Sequence, residues 1–425
     1  MRALWEVAFA DRVPDFKREP FELGSFEEIA HHRGARGSRA SVFEGGFTIG
    51  LNPRPSQPKY ATELRFSAAF GDQWSAPSPL YRRYEIGDYT VEQLHESDDV
   101  AGYQFATPRG RWRLTAPSRT APRLFDSTGE SIRPLTNLLY ELRYAVEDRG
   151  EVGSIVSLGG SSEMTTDDVE ELRHAIMHVW PRSPSRRNPQ RELPFANAPV
   201  RSQPQRTYDP RRLSVDPLGE YVPTYLAQLS QRDETAWKRL KLKLEQFGNS
   251  AGLFDEIRVR RLGRTDVDPF QIQVRKYGEN RLGPFRNLVD VGYGVSQILP
   301  VALELLRQGA SRTLLLQQPE VHLHPSAQAA LGSLLCDTIA NEKSRNPRQI
   351  VVETHSDFIV DRVRMAIADP ANSLTPDDVS LVFFERQGLD ANVHSIRMTD
   401  SGGLKGVPRG YRRFFLRELQ RAIRP

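Results

Sequence analysis

Three short apolar runs in the last third of the chain alternate with helical patterns, and this alternation constrains the fold more than any other feature. The apolar runs are Thr313–Gln317, Gln349–Glu353 and residues 379–384. The helices predicted from the spacing of apolar residues are residues 295–307, 326–342 and 356–368. Ser356 is a natural N-cap for the last of them. Strands that alternate with helices are typical of a mainly parallel sheet covered by helices, so we predict an α/β fold.

We predict that the chain has three parts, of which the C-terminal one contains the alternating strands and helices. Residues 1–133 are β-rich, and the alternation Leu64, Phe66, Ala68 and Phe70 predicts a strand with one buried face. Residues 134–250 form a predicted helical arm, with helical spacing at 134–149 and 167–179. Within the arm, residues 181–217 are rich in Pro, Arg and Ser and are predicted to be a linker or surface loop. Residues 251–425 form the C-terminal lobe.

The composition indicates a soluble globular protein. Apolar residues make up 38% of the 425 residues and charged residues 26%, and no stretch is long and apolar enough to cross a bilayer. The N-terminus lacks the charge order of a signal peptide, so we expect a cytoplasmic location and no membrane partner. Cys336 is the single cysteine, which excludes an internal disulfide.

Two glycines lead into the first of the C-terminal helices. Gly292 and Gly294 precede Ser296 and Gln297 in the sequence Gly-Tyr-Gly-Val-Ser-Gln. Such a turn can present free backbone N–H groups at the positive end of a helix, which suits a phosphate. Simple turn geometry is the alternative explanation for the two glycines.

Polar residues follow the apolar runs. The run Thr313–Gln317 ends in Gln317 and is followed by Gln318, Pro319 and Glu320. His355 follows the next run and opens a helix, where it either hydrogen-bonds a phosphate or an attacking water, or caps the helix. Glu320 is the acid nearest to Gln317 in the sequence, and it either positions Mg²⁺ or water or caps a loop.

His322 and His324 also follow this run. They lie two residues apart, on the same side of an extended segment. Zinc needs three or four ligands, and no Cys or further His lies nearby in the sequence, so a zinc site is the less favoured interpretation.

In series, the glycine turn, the Gln-Gln-Pro-Glu segment and His355 resemble the C-terminal lobe of ABC-type ATPase heads. That group includes SMC-like, RecF-like and OLD-like AAA ATPases, and the likeness is closest to the bacterial OLD-like proteins often found in phage defence. It covers about residues 254–398 well, and residues 23–28 more loosely. The resemblance implies a P-loop NTPase fold with ATP and Mg²⁺ as cofactors.

The resemblance also implies roles for single residues. Gly292, Gly294, Ser296 and Gln297 stand where the family contacts the γ-phosphate of a nucleotide held by a partner subunit. Gln317 and Gln318 stand where the family has the metal-holding and water-orienting acids, and His355 stands at its switch histidine. By this alignment Gln318, Glu320 and His355 are the candidate catalytic residues, and Gln317 and Glu320 are the candidate Mg²⁺ ligands.

Two departures from the family pattern bear on catalysis. The chain contains no Gly-x-x-x-x-Gly-Lys-Ser/Thr loop, and Met1 precedes residues 23–28 by only about two dozen positions. We therefore expect that the first strand, the phosphate loop and the first helix lie upstream in a longer gene product or have been lost. An amide such as Gln318 cannot serve as a general base, and Gln317 brings no charge to Mg²⁺.

Possible partners follow from charge and from the resemblance. Eight arginines occupy the predicted loop: Arg182, Arg186, Arg187, Arg191, Arg201, Arg206, Arg211 and Arg212. Such a run can contact the phosphates of DNA or RNA, or it is simply a solvated surface. The resemblance implies a homodimer that closes through its ATPase heads around ATP, and a separate effector protein.

The leading hypothesis is an ATPase that dimerises on ATP and gates a nucleic acid or an effector, in DNA metabolism or phage defence. We expect no nuclease domain, since only about seventy residues follow His355. The alternative is a catalytically degenerate subunit that senses nucleotide or serves as a scaffold.

Overall fold

The computed structural model describes most of the chain, in two compact units. The described residues are 25–30, 40–50, 63–73, 76–96, 99–115, 155–159, 161–179, 194–210, 213, 215–265, 268–278, 281–342, 348–412, 420–421 and 423. The units are Met1–Leu193 and Pro194–Pro425. This division differs from the predicted three parts, because residues 194–250 of the predicted arm belong to the second unit. The predicted helix at 134–149 lies outside the described residues.

The first unit contains a seven-stranded antiparallel sheet in which each strand pairs with the next along the chain. Its strands are β1 (Val42–Gly50), β2 (Glu63–Gln73), β3 (Ala76–Ile86), β4 (Tyr89–Glu96), β5 (Asp99–Thr107), β6 (Gly110–Thr115) and β7 (Ile155–Leu158). Leu64, Phe66, Ala68 and Phe70 of β2 are all buried, which confirms the face predicted from their alternation.

Two helices of the first unit are described, α1 (Phe26–Ile29) and α2 (Thr166–Val179). Helix α2 confirms the helix predicted at 167–179, and its buried residues Leu172 and Ile176 share the core of the sheet. Trp112 of β6 is fully buried in the same core, where its ring stacks on Phe105 at 5.9 Å between centroids. A sheet face covered by a helix gives this unit an apolar core of its own.

The second unit is built on a three-stranded parallel sheet whose middle strand is Thr313–Gln317. Its strands are β8 (Phe195–Asn197), β14 (Thr313–Gln317) and β15 (Gln349–Glu353). Strands β14 and β15 have the predicted bounds. The prediction of a linker or surface loop over residues 181–217 was wrong for β8, because this three-residue strand pairs with β14 through Leu314, Leu315 and Leu316.

The remaining strands of the second unit form small antiparallel sheets. They are β9 (Glu256–Arg261), β10 (Phe270–Arg275), β11 (Tyr277–Gly278), β12 (Arg281–Leu282), β13 (Arg286–Asn287), β16 (Leu381–Gln387), β17 (Asp390–Met398) and β18 (Leu404–Lys405). The strand predicted at 379–384 appears as β16, but it pairs antiparallel with β17 and does not join the parallel sheet.

Helices cover the parallel sheet, and the mixed α/β architecture confirms the predicted fold class. They are α3 (Tyr221–Arg232), α4 (Glu234–Ser250), α5 (Tyr293–Leu306), α6 (Pro325–Glu342) and α7 (Asp357–Ala368). Helix α5 is central, since Ile298, Val301 and Ala302 are fully buried in the core. Ser356 caps α7 as predicted, its Oγ accepting a hydrogen bond from the backbone N–H of Ile359 at 3.3 Å. None of the described helices has the length and apolar character needed to span a bilayer.

Candidate functional site

The candidate residues converge where the three parallel strands end. Asn197 ends β8, Gln317 ends β14 and Glu353 ends β15. Parallel strands present their carboxyl ends at one edge of a sheet, which is where α/β proteins bind ligands. We call this edge, with the turns that leave it, the strand-end cluster, and it is formed by Asn197, Arg201, Gln317, Gln318, Glu320, Glu353 and His355.

Gln318 and His355 come from different strands and meet in this cluster. The side-chain Nε2 of Gln318 lies 3.3 Å from Nε2 of His355 and 3.3 Å from Oε1 of Glu353. The backbone of Gln318 has a φ of 42°, a left-handed conformation that costs a residue other than glycine on the order of 1 kcal/mol. Its N–H donates to the carbonyl oxygen of Glu353 at 2.8 Å, which holds the turn in place.

Glu320 is buried and bonded to the start of the next turn. Its Oε1 accepts a hydrogen bond from the backbone N–H of His355 at 2.7 Å, and the residue is 7% exposed. Its Oε2 is also buried and has no hydrogen-bond partner within the part of the chain that the structure describes. Glu320 therefore joins the turn after β14 to the turn after β15, in the capping role that the sequence left as one alternative.

Arg201 is a member of the cluster that the sequence did not identify. It is 2% exposed, its Nε donates to Oδ1 of Asn197 at 2.8 Å, and its Nη2 donates to the carbonyl oxygen of Gln318 at 3.4 Å. Burial lowers the pKa of its guanidinium to about 10, and the Glu320 carboxylate acts against that shift. Grouping Arg201 with a solvated or nucleic-acid-binding arginine loop was therefore wrong, because it is the internal counter-charge of Glu320.

Another arginine of that loop is described as well. Arg206 is exposed and forms an ion pair with Asp290, with Nη2 at 2.6 Å from Oδ1. Arg182, Arg186, Arg187, Arg191, Arg211 and Arg212 lie outside the described residues. The proposed nucleic-acid contact therefore depends on those six side chains.

The glycine turn lies against the loop that follows β14. A Cβ atom added at Gly294 would be 2.6 Å from the carbonyl oxygen of His322, whereas one added at Gly292 would meet no atom within 4 Å. The ring of Tyr293 packs edge-on against the ring of His322, with centroids 4.9 Å apart. Close approach of two backbones thus accounts for Gly294, while Gly292, the N-cap of α5, remains open.

Ser296 and Gln297 are buried and bonded to the protein itself. The Oγ of Ser296 donates to the carbonyl oxygen of Tyr293 at 2.8 Å. The Oε1 of Gln297 accepts from the backbone N–H of Arg201 at 3.0 Å, and its Nε2 donates to the carbonyl oxygens of Arg201 and Ser202. Their placement therefore gives no support to the predicted nucleotide contacts, and Gln297 instead holds the segment that carries Arg201.

The structure offers a second donor set for a divalent cation besides the predicted Gln317 and Glu320. Glu320 is buried and its Oε1 already accepts a hydrogen bond from the backbone N–H of His355, so only the buried Oε2 is left for a metal ion. Gln317 is exposed and pairs in register with the exposed Glu353, so an amide and a carboxylate oxygen lie side by side on neighbouring strands. One or two carboxylates with substrate phosphates and water are the usual ligands of Mg²⁺, and this pair fits that requirement.

The two histidines of the loop after β14 form no metal site with their neighbours. His324 Nδ1 lies 2.9 Å from Oγ of Ser326, and His322 packs on Tyr293. Among the described residues, no group of three or more His, Cys, Asp or Glu side chains is arranged to hold a metal ion.

Comparison with known families gives one match. Residues 179–361 match the family model described as "AAA domain, putative AbiEii toxin, Type IV TA system". This segment is less than half of the chain and contains the whole strand-end cluster and the glycine turn. No curated protein matches the sequence. The match indicates an AAA-family domain in this segment and agrees with the predicted P-loop ATPase fold class.

Several solved structures of SMC ATPase heads are also similar to the chain. One, described as the structural biochemistry of ATP-driven dimerization and DNA-stimulated activation of SMC ATPases, is 13% identical, with a TM-score of 0.29 over 46% of this chain and 97% of that one. An SMC head bound to the C-winged helix domain of ScpA is 10% identical, with a TM-score of 0.29 over 77% of each chain. The SMC head domain from Thermotoga maritima is 11% identical, with a TM-score of 0.24 over 76% of each chain. With TM-scores this low, no further argument rests on these overlays.

Proposed function

We propose that this chain is an ATP-binding AAA-type ATPase that binds nucleotide at the strand-end cluster. The observation that carries the proposal is the contact between Gln318 and His355, at the ends of adjacent parallel strands within the segment that matches an AAA domain. An amide N–H and an imidazole at one point can both hydrogen-bond a terminal phosphate. Bound Mg²⁺ would neutralise phosphate charge at such a site.

The same geometry implies slow hydrolysis. Gln318 occupies the position from which an acid orients the attacking water in related ATPases, and an amide cannot accept the proton of that water. Glu320 is bonded to the backbone of His355 and buried beside Arg201, so it is poorly placed to act on water. We expect turnover below the range of about 1–1,000 per second that is usual for enzymes.

Nucleotide would act by changing assembly. We propose that ATP joins two copies of this chain, with the glycine turn at Gly292 facing the nucleotide of the other copy. Closure of the pair would gate a nucleic acid or a separate effector protein, in DNA metabolism or phage defence.

Removal of the His355 ring tests the proposal. The His355→Ala variant should bind a fluorescent ATP analogue roughly tenfold more weakly than the unaltered chain, the loss expected for one hydrogen bond to a charged group. His324→Ala is the matched control, since His324 is exposed in the nearby loop and bonded to Ser326. Equal affinity of all three proteins would contradict the proposed site.

A second candidate function is a subunit that binds nucleotide without turnover or serves as a scaffold. The two amides at Gln317 and Gln318 favour it, because an amide brings no charge to a metal ion and cannot accept a proton from water. Release of inorganic phosphate separates the two candidates. Turnover that disappears in Gln318→Ala but not in His324→Ala supports the ATPase, whereas ATP binding with no phosphate release supports the second candidate.

A further inference from the structure

Glu353 was not among the candidate residues predicted from the sequence, and its position in the sheet suggests a role for it. It ends β15 directly opposite Gln317 in the parallel register, and both side chains are exposed on the same face. Side chains opposite one another on neighbouring strands lie within reach of a common ligand. Its Oε1 accepts a hydrogen bond from Nε2 of Gln318 at 3.3 Å, so the carboxylate is directed toward the turn that carries both amides.

Glu320 is the competing carboxylate, and its contacts exclude it. One oxygen is bonded to the backbone N–H of His355, and the other is buried. The positive charge of Arg201 acts on Glu320 and opposes the binding of a metal ion by that carboxylate. A divalent cation prefers anionic oxygens that water and phosphate can also reach, and Glu353 meets this condition where Glu320 does not.

We infer that Glu353 supplies the anionic ligand of a divalent cation at the strand-end cluster, with the Gln317 amide oxygen beside it. In this arrangement the carboxylate lies at the end of β15, whereas the resemblance implies an acid at the end of β14, where Gln317 stands. The inference rests on the proposed function for its nucleotide, but it concerns metal binding, which can be measured without nucleotide.

The charged groups of the cluster then have two separate roles, one for the buried groups and one for the exposed Glu353. Arg201 and Glu320 are both buried and of opposite charge, and each is bonded to the backbone of a turn at the strand ends. The exposed Glu353 is left with its negative charge directed to the ligand. This division explains how a site with two amides in place of acids can still attract a metal ion.

The test is a titration of the purified chain with Mn²⁺ alone, followed by water-proton relaxation, which detects weak sites. The unaltered chain should bind Mn²⁺, and Glu353→Gln should weaken that binding by about tenfold or more, since it removes the only anionic ligand. Asp337→Asn, which changes an exposed carboxylate of α6 outside the cluster, is the matched control and should bind as the unaltered chain does, whereas Glu320→Gln tests the competing carboxylate and should retain binding. Gln317→Asp should bind about tenfold more tightly, because it adds a second anionic ligand next to the first.

Three outcomes would overturn the inference. They are loss of binding in Glu320→Gln with retention in Glu353→Gln, equal binding by all variants, and no binding by the unaltered chain together with none by Gln317→Asp. Thermal melting of each variant, with the melting temperature of Glu353→Gln expected within a few degrees of the unaltered chain, separates loss of a ligand from loss of the fold. Failure to bind ATP in the presence of normal Mn²⁺ binding would count against the proposed function and leave this inference standing.

Discussion

The two sheets of this protein are specified in different ways. The antiparallel sheet of the first unit is a meander in which every strand pairs with its sequence neighbour and buries an apolar face. The parallel sheet of the second unit joins β8, β14 and β15 from distant parts of the chain, and polar contacts of Arg201, Gln318 and Glu320 tie its ends together. In the first sheet, neighbouring strands pair and bury apolar side chains. In the second sheet, polar contacts between distant segments hold the ends of the strands together.

This difference between the two sheets indicates which unit contains the candidate site. The antiparallel sheet buries single polar side chains, such as Arg82 and Gln93, among its apolar residues. The ends of the parallel strands instead gather amide, imidazole, carboxylate and guanidinium groups from three segments. The carboxyl ends of parallel strands are also where α/β proteins bind ligands, so we propose the site in the second unit.

The largest effect is expected when a buried aromatic ring is removed from the first sheet. Trp112→Ala removes a fully buried ring from the first sheet and should lower the free energy of unfolding of that unit by about 4 kcal/mol. Urea denaturation followed by hydrogen exchange of peptides from β2 to β6 measures the loss. Exchange at residues 317–324 should not change, since none of the cluster residues belongs to the first unit, and faster exchange there would contradict the separation.

A somewhat smaller effect is expected when a buried charge is removed from the ends of the parallel strands. Arg201→Met keeps much of the side-chain volume but leaves Glu320 buried without its counter-charge, which should cost about 3 kcal/mol. Arg206→Met is the matched control, because Arg206 is exposed and its pair with Asp290 is at the surface. The double variant Arg201→Met with Glu320→Gln should be more stable than the sum of the two single losses predicts. Strict additivity in chemical denaturation would show that the two residues do not interact.

A third prediction concerns the close approach of the glycine turn. Gly294→Ala places a Cβ atom against the carbonyl oxygen of His322 and should cost about 2 kcal/mol as the turn and the loop shift apart. Gly292→Ser adds a side chain into open space and keeps a favourable N-cap residue, so its stability should equal that of the unaltered chain. Equal melting temperatures for the two variants would rule out the contact.

The last prediction concerns the stability of the first unit in acid, and its effect at neutral pH is the smallest. Burial, with the nearby Arg82 charge, lowers the pKa of His95 in β4 to about 3. Since this value lies below the ordinary pKa of about 6.5 in an unfolded chain, the stabilising contribution is present above pH 6.5 and is lost as the pH falls toward 3. His95→Gln should flatten the acid dependence of unfolding of the first unit, while His174→Gln, at an exposed position on α2, should leave it unchanged. Identical acid profiles for His95→Gln and the unaltered chain would contradict this account.

Sequence pattern predicted the elements that are long or sharply bounded. Strands β14 and β15 have the bounds expected from their apolar runs, and Ser356 caps α7 as expected, because each signal is local. Strand β8 could not be predicted, since three residues within a Pro-rich and Arg-rich segment show no periodicity. Phe195 and Ala196, just before Asn197, were its only apolar signal.

Part of the candidate site could be located from the sequence for the same reason. Gln318, Glu320 and His355 follow apolar runs, and the structure places all three at the strand ends. Glu353 was missed, because its position beside Gln317 depends on the register of a parallel pair. Arg201 was missed because nothing in the sequence distinguishes a buried arginine from its solvated neighbours.

The most direct test of the central claim locates bound ATP by hydrogen exchange. At an ATP concentration about ten times the Kd, exchange in peptides covering residues 317–324 and 353–358 should slow by about tenfold wherever exchange requires release of the nucleotide. Peptides from the antiparallel sheet of the first unit serve as the internal reference and should exchange at their usual rate. Protection confined to the first unit, or none at the two strand ends when ATP is bound, would contradict the assignment of the strand-end cluster as the nucleotide site.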